Sequence, residues 1–96
     1  MNESNPSDDA LAELLSLTVE VTRFGSTTYR NHLGQEHRVH GPAVIYSDGD
    51  ERWYQNGLRH RTDGPAVIYP DSGGQYWFLN GHELTEDQFN ERVKSM

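Results

Sequence analysis

The chain contains no cysteine, only one lysine, and no long apolar run. The first absence excludes disulfides, iron–sulfur clusters, thiolate zinc sites and a cysteine nucleophile. Small secreted domains usually hold themselves together with disulfides, so an intracellular, cytoplasmic setting is the expectation. The lack of an apolar run argues against a membrane-spanning helix. Residues 1–20 hold neither Lys nor Arg, so the basic start of a signal peptide is missing. Hydrophobic residues make up 33% of the 96 positions, which leaves a domain of this size little apolar surface to bury. Five Tyr, three Phe and two Trp partly compensate, since each ring can bury a large area.

Charge is unevenly spread. The formal net charge is −7. Acids Glu3, Asp8, Asp9, Glu13 and Glu20 crowd the first twenty residues, and Asp71, Glu83, Glu86, Asp87 and Glu91 the last third. The middle is nearly neutral and holds Arg23, Arg30, Arg38, Arg52, Arg59 and Arg61. Phosphate backbones repel so acidic a chain, so no nucleic-acid partner is expected. A protein partner with a basic surface fits better.

The segment His37-Arg38-Val39-His40-Gly41-Pro42-Ala43-Val44-Ile45-Tyr46 recurs at residues 60–69, changed only to Thr62 and Asp63 at its third and fourth positions. The offset is 23 residues. Such a period is the mark of stacked structural units. Ahead of the second copy stands Arg52-Trp53-Tyr54-Gln55, an aromatic strand, followed by Asn56-Gly57. Asn-Gly is the strongest short hairpin signal, because a type I′ turn needs positive φ at both central residues. Leu58–Arg61 is expected to return as a short strand. Asp63-Gly64-Pro65 then turns the chain into a strand over 66–69, with Pro65 at its start because it lacks an amide donor. Trp77-Phe78 and Asn80-Gly81 begin a third, partial copy. A degenerate first copy begins near Thr27, where the turn is longer and His32 and Leu33 precede Gly34.

The flanks read differently. Ser7 is a plausible N-cap for a helix over about 8–16, with Leu11, Leu14 and Leu15 on one face. Leu17, Val19 and Val21 alternate with polar residues, a strand pattern that Gly25-Ser26 ends. Thr85 and Gln88 form a capping-box pair at the start of a helix over about 86–94, with Phe89 and Val93 on its apolar side. The expected fold is α+β and mostly β: an antiparallel meander of short hairpins between a short N-terminal and a short C-terminal helix. Residues 1–6 are expected to form a disordered tail. One domain follows over 7–96, comprising an N-terminal helix and strand (7–26), hairpin repeats (27–84) and a capping helix (85–96).

The run Trp53-Tyr54-Gln55-Asn56-Gly57-Leu58-Arg59-His60-Arg61-Thr62-Asp63-Gly64-Pro65-Ala66 resembles the MORN-repeat-variant group of short β-hairpin repeats. The likeness is to the form Trp-Tyr-x-Asn-Gly-x-x-His-Arg-x-Asp-Gly-Pro-Ala of uncharacterised phage and bacterial proteins. It covers residues 27–94, more weakly at 29–43, where His40 stands in place of the Asp, and partially at 76–84. The resemblance implies an interaction scaffold, often of phage origin, and no reaction. A phage protein of this kind would work in the host cytoplasm as an inhibitor of a host protein or defence complex. Lipid contact, proposed for longer arrays, suits this acidic chain poorly, so no membrane partner is expected.

Candidate chemistry is sparse. Arg61 and Asp63 are two apart on a strand and should share a face. His37 and His60 are expected to stack as a ladder with the tyrosines. His37 and His40 would point to opposite faces of a strand, and neither they nor His82-Glu83 has further ligands at metal-site spacing. Asp48, Asp50 and Glu51 lack the ligand order of a calcium loop. No nucleophile elbow or phosphate loop is present. The chain is therefore expected to be no enzyme, with no catalytic residue, metal or cofactor. Trp53, Tyr54, Trp77, Arg59, Arg61, His60 and His40 are the candidate partner-binding residues, being the types enriched in interface hot spots or the point where the copies differ. Asn56, Gly57, Asp63, Gly64, Pro65, Asn80 and Gly81 are the structural turn residues. Two alternatives remain: a self-assembling homo-oligomer or homodimer, and a small ligand or metal held by the His/Arg ladder.

Overall fold

The computed structural model describes the backbone of residues 6–96 and the side chains of residues 9–96. Two helices, α1 (Pro6–Ser16) and α2 (Glu86–Lys94), flank nine strands. The strands are β1 (Thr18–Val21), β2 (Thr27–Arg30), β3 (Val44–Ile45), β4 (Glu51–Arg52), β5 (Tyr54–Gln55), β6 (Leu58–Arg59), β7 (Val67–Tyr69), β8 (Gly74–Leu79) and β9 (His82–Leu84). Seven form one antiparallel sheet in the order β1-β2-β3-β4-β7-β8-β9, and β5 and β6 form a hairpin of their own. This is the mostly β, helix-flanked meander expected from the repeat. Of the tail expected over residues 1–6, Pro6 is already helical and the rest lies outside the described residues. Starting α1 at Pro6 also places Ser7 inside the first turn, not at the cap; proline's fixed φ suits a first helical position.

The strand expected over 52–55 is interrupted. Trp53 leaves the main sheet between β4 and β5, donating its amide to Ala66 O at 2.7 Å and accepting from His60 N at 3.0 Å. Tyr29 makes the matching pair of bonds in the first copy, with Ala43 and His37 at 2.7 and 3.0 Å, while staying within β2 and paired with Val19. The second copy therefore keeps β4 in the main sheet and sets its hairpin, β5 and β6, apart from it.

The hairpins stack on one another through a recurring set of bonds. Arg38 N donates to Tyr54 O at 3.0 Å and Gly57 N to Glu36 O at 2.9 Å. One unit on, Arg61 N donates to Phe78 O at 3.2 Å and Gly81 N to Arg59 O at 2.8 Å. The Asn-Gly turns have the positive φ values that type I′ geometry requires: 51° and 82° at Asn56 and Gly57, 50° and 85° at Asn80 and Gly81. The first hairpin instead closes through three residues, His32-Leu33-Gly34, with Asn31 N bonded to Gln35 O and Gly34 at φ 82°. The Asn31 side chain accepts from Leu33 N and Gln35 N, which satisfies the longer loop internally.

The core is thin and built twice from the same dipeptide: Ala43-Val44 and Ala66-Val67 are buried. Phe78, Leu79 and Phe89 complete it. Phe89 comes from α2, whose start is fixed by the expected capping box. Gln88 N donates to Thr85 Oγ1 at 3.1 Å, and Thr85 N to Gln88 Oε1 at 2.9 Å. At the other end α1 leaves Leu11 and Leu15 exposed, contrary to the apolar face its periodicity promises.

Candidate functional site

The repeated His and Arg have matching duties in the first two copies. Arg61 lies over the Trp53 ring, Cζ 3.7 Å from the centroid. Its Nε donates to Asp63 Oδ1 at 2.8 Å and its Nη1 to Pro65 O at 3.1 Å. A Cβ on Gly64 would stand 3.0 Å from Arg61 Cζ. The guanidinium is thus closed in between an indole and a glycine backbone, which explains the Gly of the Asp-Gly-Pro turn. Arg38 repeats this over Tyr29 at 4.2 Å, with a Gly41 Cβ only 2.7 Å from its Cζ. Here His40 replaces the Asp, and Arg38 Nε is buried without a partner.

The histidines link successive hairpins. His37 Nδ1 accepts the Asn56 amide at 2.9 Å, and His60 Nδ1 accepts the Asn80 amide at 3.0 Å. Each imidazole therefore bonds the backbone of the next hairpin, at a residue whose left-handed conformation turns its N–H outward. Burial holds the His60 ring below the usual histidine pKa. Arginine and tyrosine stack alongside. Arg52 lies 5.2 Å from the Tyr46 ring and 4.6 Å from the Tyr69 ring, and Tyr69 meets Tyr76 edge-on at 5.9 Å.

Where the first copy departs from the second, α1 fills in. Glu13 accepts the backbone amides of Val39 and His40, the latter at 2.9 Å. Its two oxygens also face His40 Nδ1 at 3.2 Å and His37 Nε2 at 4.0 Å. His37 and His40 thus converge on one carboxylate, against the strand-based expectation, because residues 39–41 are bent and not extended. Burial alone would raise the Glu13 pKa, but the His40 and Val39 amides and the His40 ring outweigh it and hold the carboxyl below its ordinary value. Among the described residues no group of three or more His, Asp or Glu is arranged to hold a metal ion. Asp48 accepts its own loop's Asp50 amide at 3.1 Å, an Asx turn.

The candidate residues do not gather into one site. Trp53 packs against Ala66, Val67 and Phe78, with its indole N–H on Glu51 at 3.2 Å. Tyr54 OH accepts from Arg59 Nε at 3.4 Å, and Arg59 Cζ lies 5.3 Å from the Phe78 ring. His60 and Arg61 are committed as above, and His40 is bonded to Glu13 of α1. Trp77 differs: it lines a cleft of about 370 Å³ with Tyr76, Glu83, Thr85, Glu86 and Gln88, where α2 begins. Sequence reasoning missed a second feature. Leu11, Leu15, Val19, Val21 and Phe24 are each exposed, on α1, β1 and the following turn, and β1 is exposed at every position. Nothing in a helix or strand period announces that the apolar side will stay uncovered.

No described helix is long and apolar enough to cross a membrane. Comparison with protein-family models, curated proteins and solved structures finds no match to this chain.

Proposed function

We propose that the chain is a non-catalytic, acidic protein-binding module. The observation that carries this reading is the uncovered apolar surface of residues 11–24. Leu15, Val21 and Phe24 are 81%, 68% and 73% exposed, in a segment where the acids outnumber Arg23. Several large apolar side chains left exposed within one short stretch of a small protein suit an interaction site. The repeated histidines support the non-catalytic part: each Nδ1 accepts a backbone amide of the next hairpin, which commits the ring to a structural bond. The likeness to the MORN-variant repeats narrows the proposal to a phage-encoded inhibitor acting on a host protein or defence complex in the host cytoplasm, through a basic-rimmed partner surface. The test compares capture from host lysate by the wild type and by Leu15→Glu/Val21→Glu, checked for an unchanged melting temperature. A saturable partner lost in the variant supports the reading. No saturable partner, or equal capture by both, defeats it.

The exposed edge of β1 favours a second reading, self-association by strand pairing. Sedimentation at micromolar concentration distinguishes them: a strict monomer rejects the homodimer.

A further inference from the structure

The third copy keeps its ring and loses its cation. Trp77 occupies the place of Trp53 and Tyr29. Leu84 pairs with Trp77 as His60 pairs with Trp53, so the next residue, Thr85, stands where Arg61 stands. Thr85 is spent as the cap of α2. Among the described residues no Arg or Lys lies over Trp77. The ring faces the cleft at the start of α2, and Glu83 and Glu86 line the same cleft. Both carboxylates are exposed, and neither has an ion-pair partner among the described residues.

The backbone beside the ring is unfinished in the same sense. In the second copy β4 is paired on both sides, by β3 and by β7. The matching residues of β8, Gln75 and Tyr76, pair with β7, whereas β9 reaches only Trp77 to Leu79 on the other side. An open stretch of strand edge therefore runs into the acidic cleft that holds the uncapped indole.

We propose that this cleft is a receptor for an arginine side chain carried on an extended segment of a partner protein. The guanidinium would stack on Trp77 as Arg61 does on Trp53, Glu83 and Glu86 would supply the charge-assisted contacts that Asp63 supplies there, and the segment would lie along Gln75-Tyr76. The source of the arginine rests on the protein-binding reading above. The chemistry of the cleft is tested without it.

The probe is a capped peptide with the sequence of residues 61–68, which carries this geometry inside the chain. It is titrated into protein labelled at the tryptophan indoles, with Trp77→Phe used to assign the Trp77 signal. The expected result is a saturable shift of Trp77 and none of Trp53. Binding weakens about tenfold when citrulline replaces arginine, and several-fold in Glu83→Gln and in Glu86→Gln, both exposed changes that leave the fold intact. Free arginine should bind much more weakly than the peptide. No saturable Trp77 shift, or equal affinity for the citrulline peptide, overturns the site. Free arginine binding as tightly as the peptide overturns the peptide source. None of these results decides the fate of the residue 11–24 surface, whose own capture test stands apart.

Discussion

Replacing Gly64 by alanine tests the central packing device of the repeat. The new Cβ would sit 3.0 Å from Arg61 Cζ and 3.3 Å from its Nε and Nη1. The guanidinium cannot retreat toward the indole, because Cζ is already 3.7 Å from that ring's centroid. It must slide sideways, which breaks its bonds to Asp63 and Pro65. A partly desolvated cation–π contact is worth about 1–2 kcal/mol. The bond to the Pro65 carbonyl adds about 1 kcal/mol. Asp63 is 77% exposed, so its ion pair adds only about 0.5 kcal/mol. Alanine returns about 0.5 kcal/mol by restricting the unfolded chain. The net loss is about 2–3 kcal/mol, which lowers the melting temperature of a domain this size by about 8–24 °C. Calorimetry or thermal circular dichroism measures it. The control is the same change in an Arg61→Met background, where Gly64→Ala should be neutral or slightly stabilising. Equal destabilisation in both backgrounds would show that the methyl group does not act through Arg61.

Other perturbations have equally definite outcomes. Glu13→Gln removes a carboxylate held below its ordinary pKa, so the wild-type advantage exists above the unfolded carboxyl pKa and disappears as pH falls through the lower folded value. Urea unfolding should show a loss of about 1–3 kcal/mol at pH 7 and almost none at pH 2; a difference that persists in acid counts against the assignment. His60 has a depressed folded pKa, so its contribution is complete above about 6.5 and declines as pH drops from there through the folded value. An NMR titration placing His60 above 6.5 would contradict the burial argument. Gly57→Val places a β-branched residue at φ 82° and should lower the melting temperature clearly; an unchanged value rejects the hairpin turn.

Local chemistry was legible in the sequence, and distant chemistry was not. Asn56-Gly57, the Thr85–Gln88 box and the Arg61–Asp63 pair are set by residues within three positions of each other, where steric rules and short reach decide the outcome. The Glu13 clamp joins residues 26 and 27 positions apart, and no spacing rule connects a helix carboxylate to the loop at Val39 and His40. One signal did point there: His40 is where the first copy departs from the Asp of the second, and the structure places the α1 contact at that departure. The amide-accepting role of the histidines was not legible, because it depends on where the next hairpin's Asn56 or Asn80 comes to lie, 19 or 20 positions away. The exposure of Leu11 and Leu15 was illegible for a different reason. Periodicity identifies an apolar face, but whether anything covers it depends on what the rest of the chain has left to offer.

The bonds between successive hairpins have a consequence for how such a chain changes length. Arg38 to Tyr54, His37 to Asn56 and Glu36 to Gly57 are matched one unit later by Arg61 to Phe78, His60 to Asn80 and Arg59 to Gly81. Every junction is made by the same atoms, so a duplicated 23-residue unit inserted after Tyr69 would meet fitting surfaces on both sides and lengthen the protein by one step. The last copy places Leu84 and Thr85 where the linking histidine and the stacking arginine would be, which leaves no acceptor waiting for a further unit. Insertion in the middle of the chain would keep both of these links, whereas the last copy offers neither.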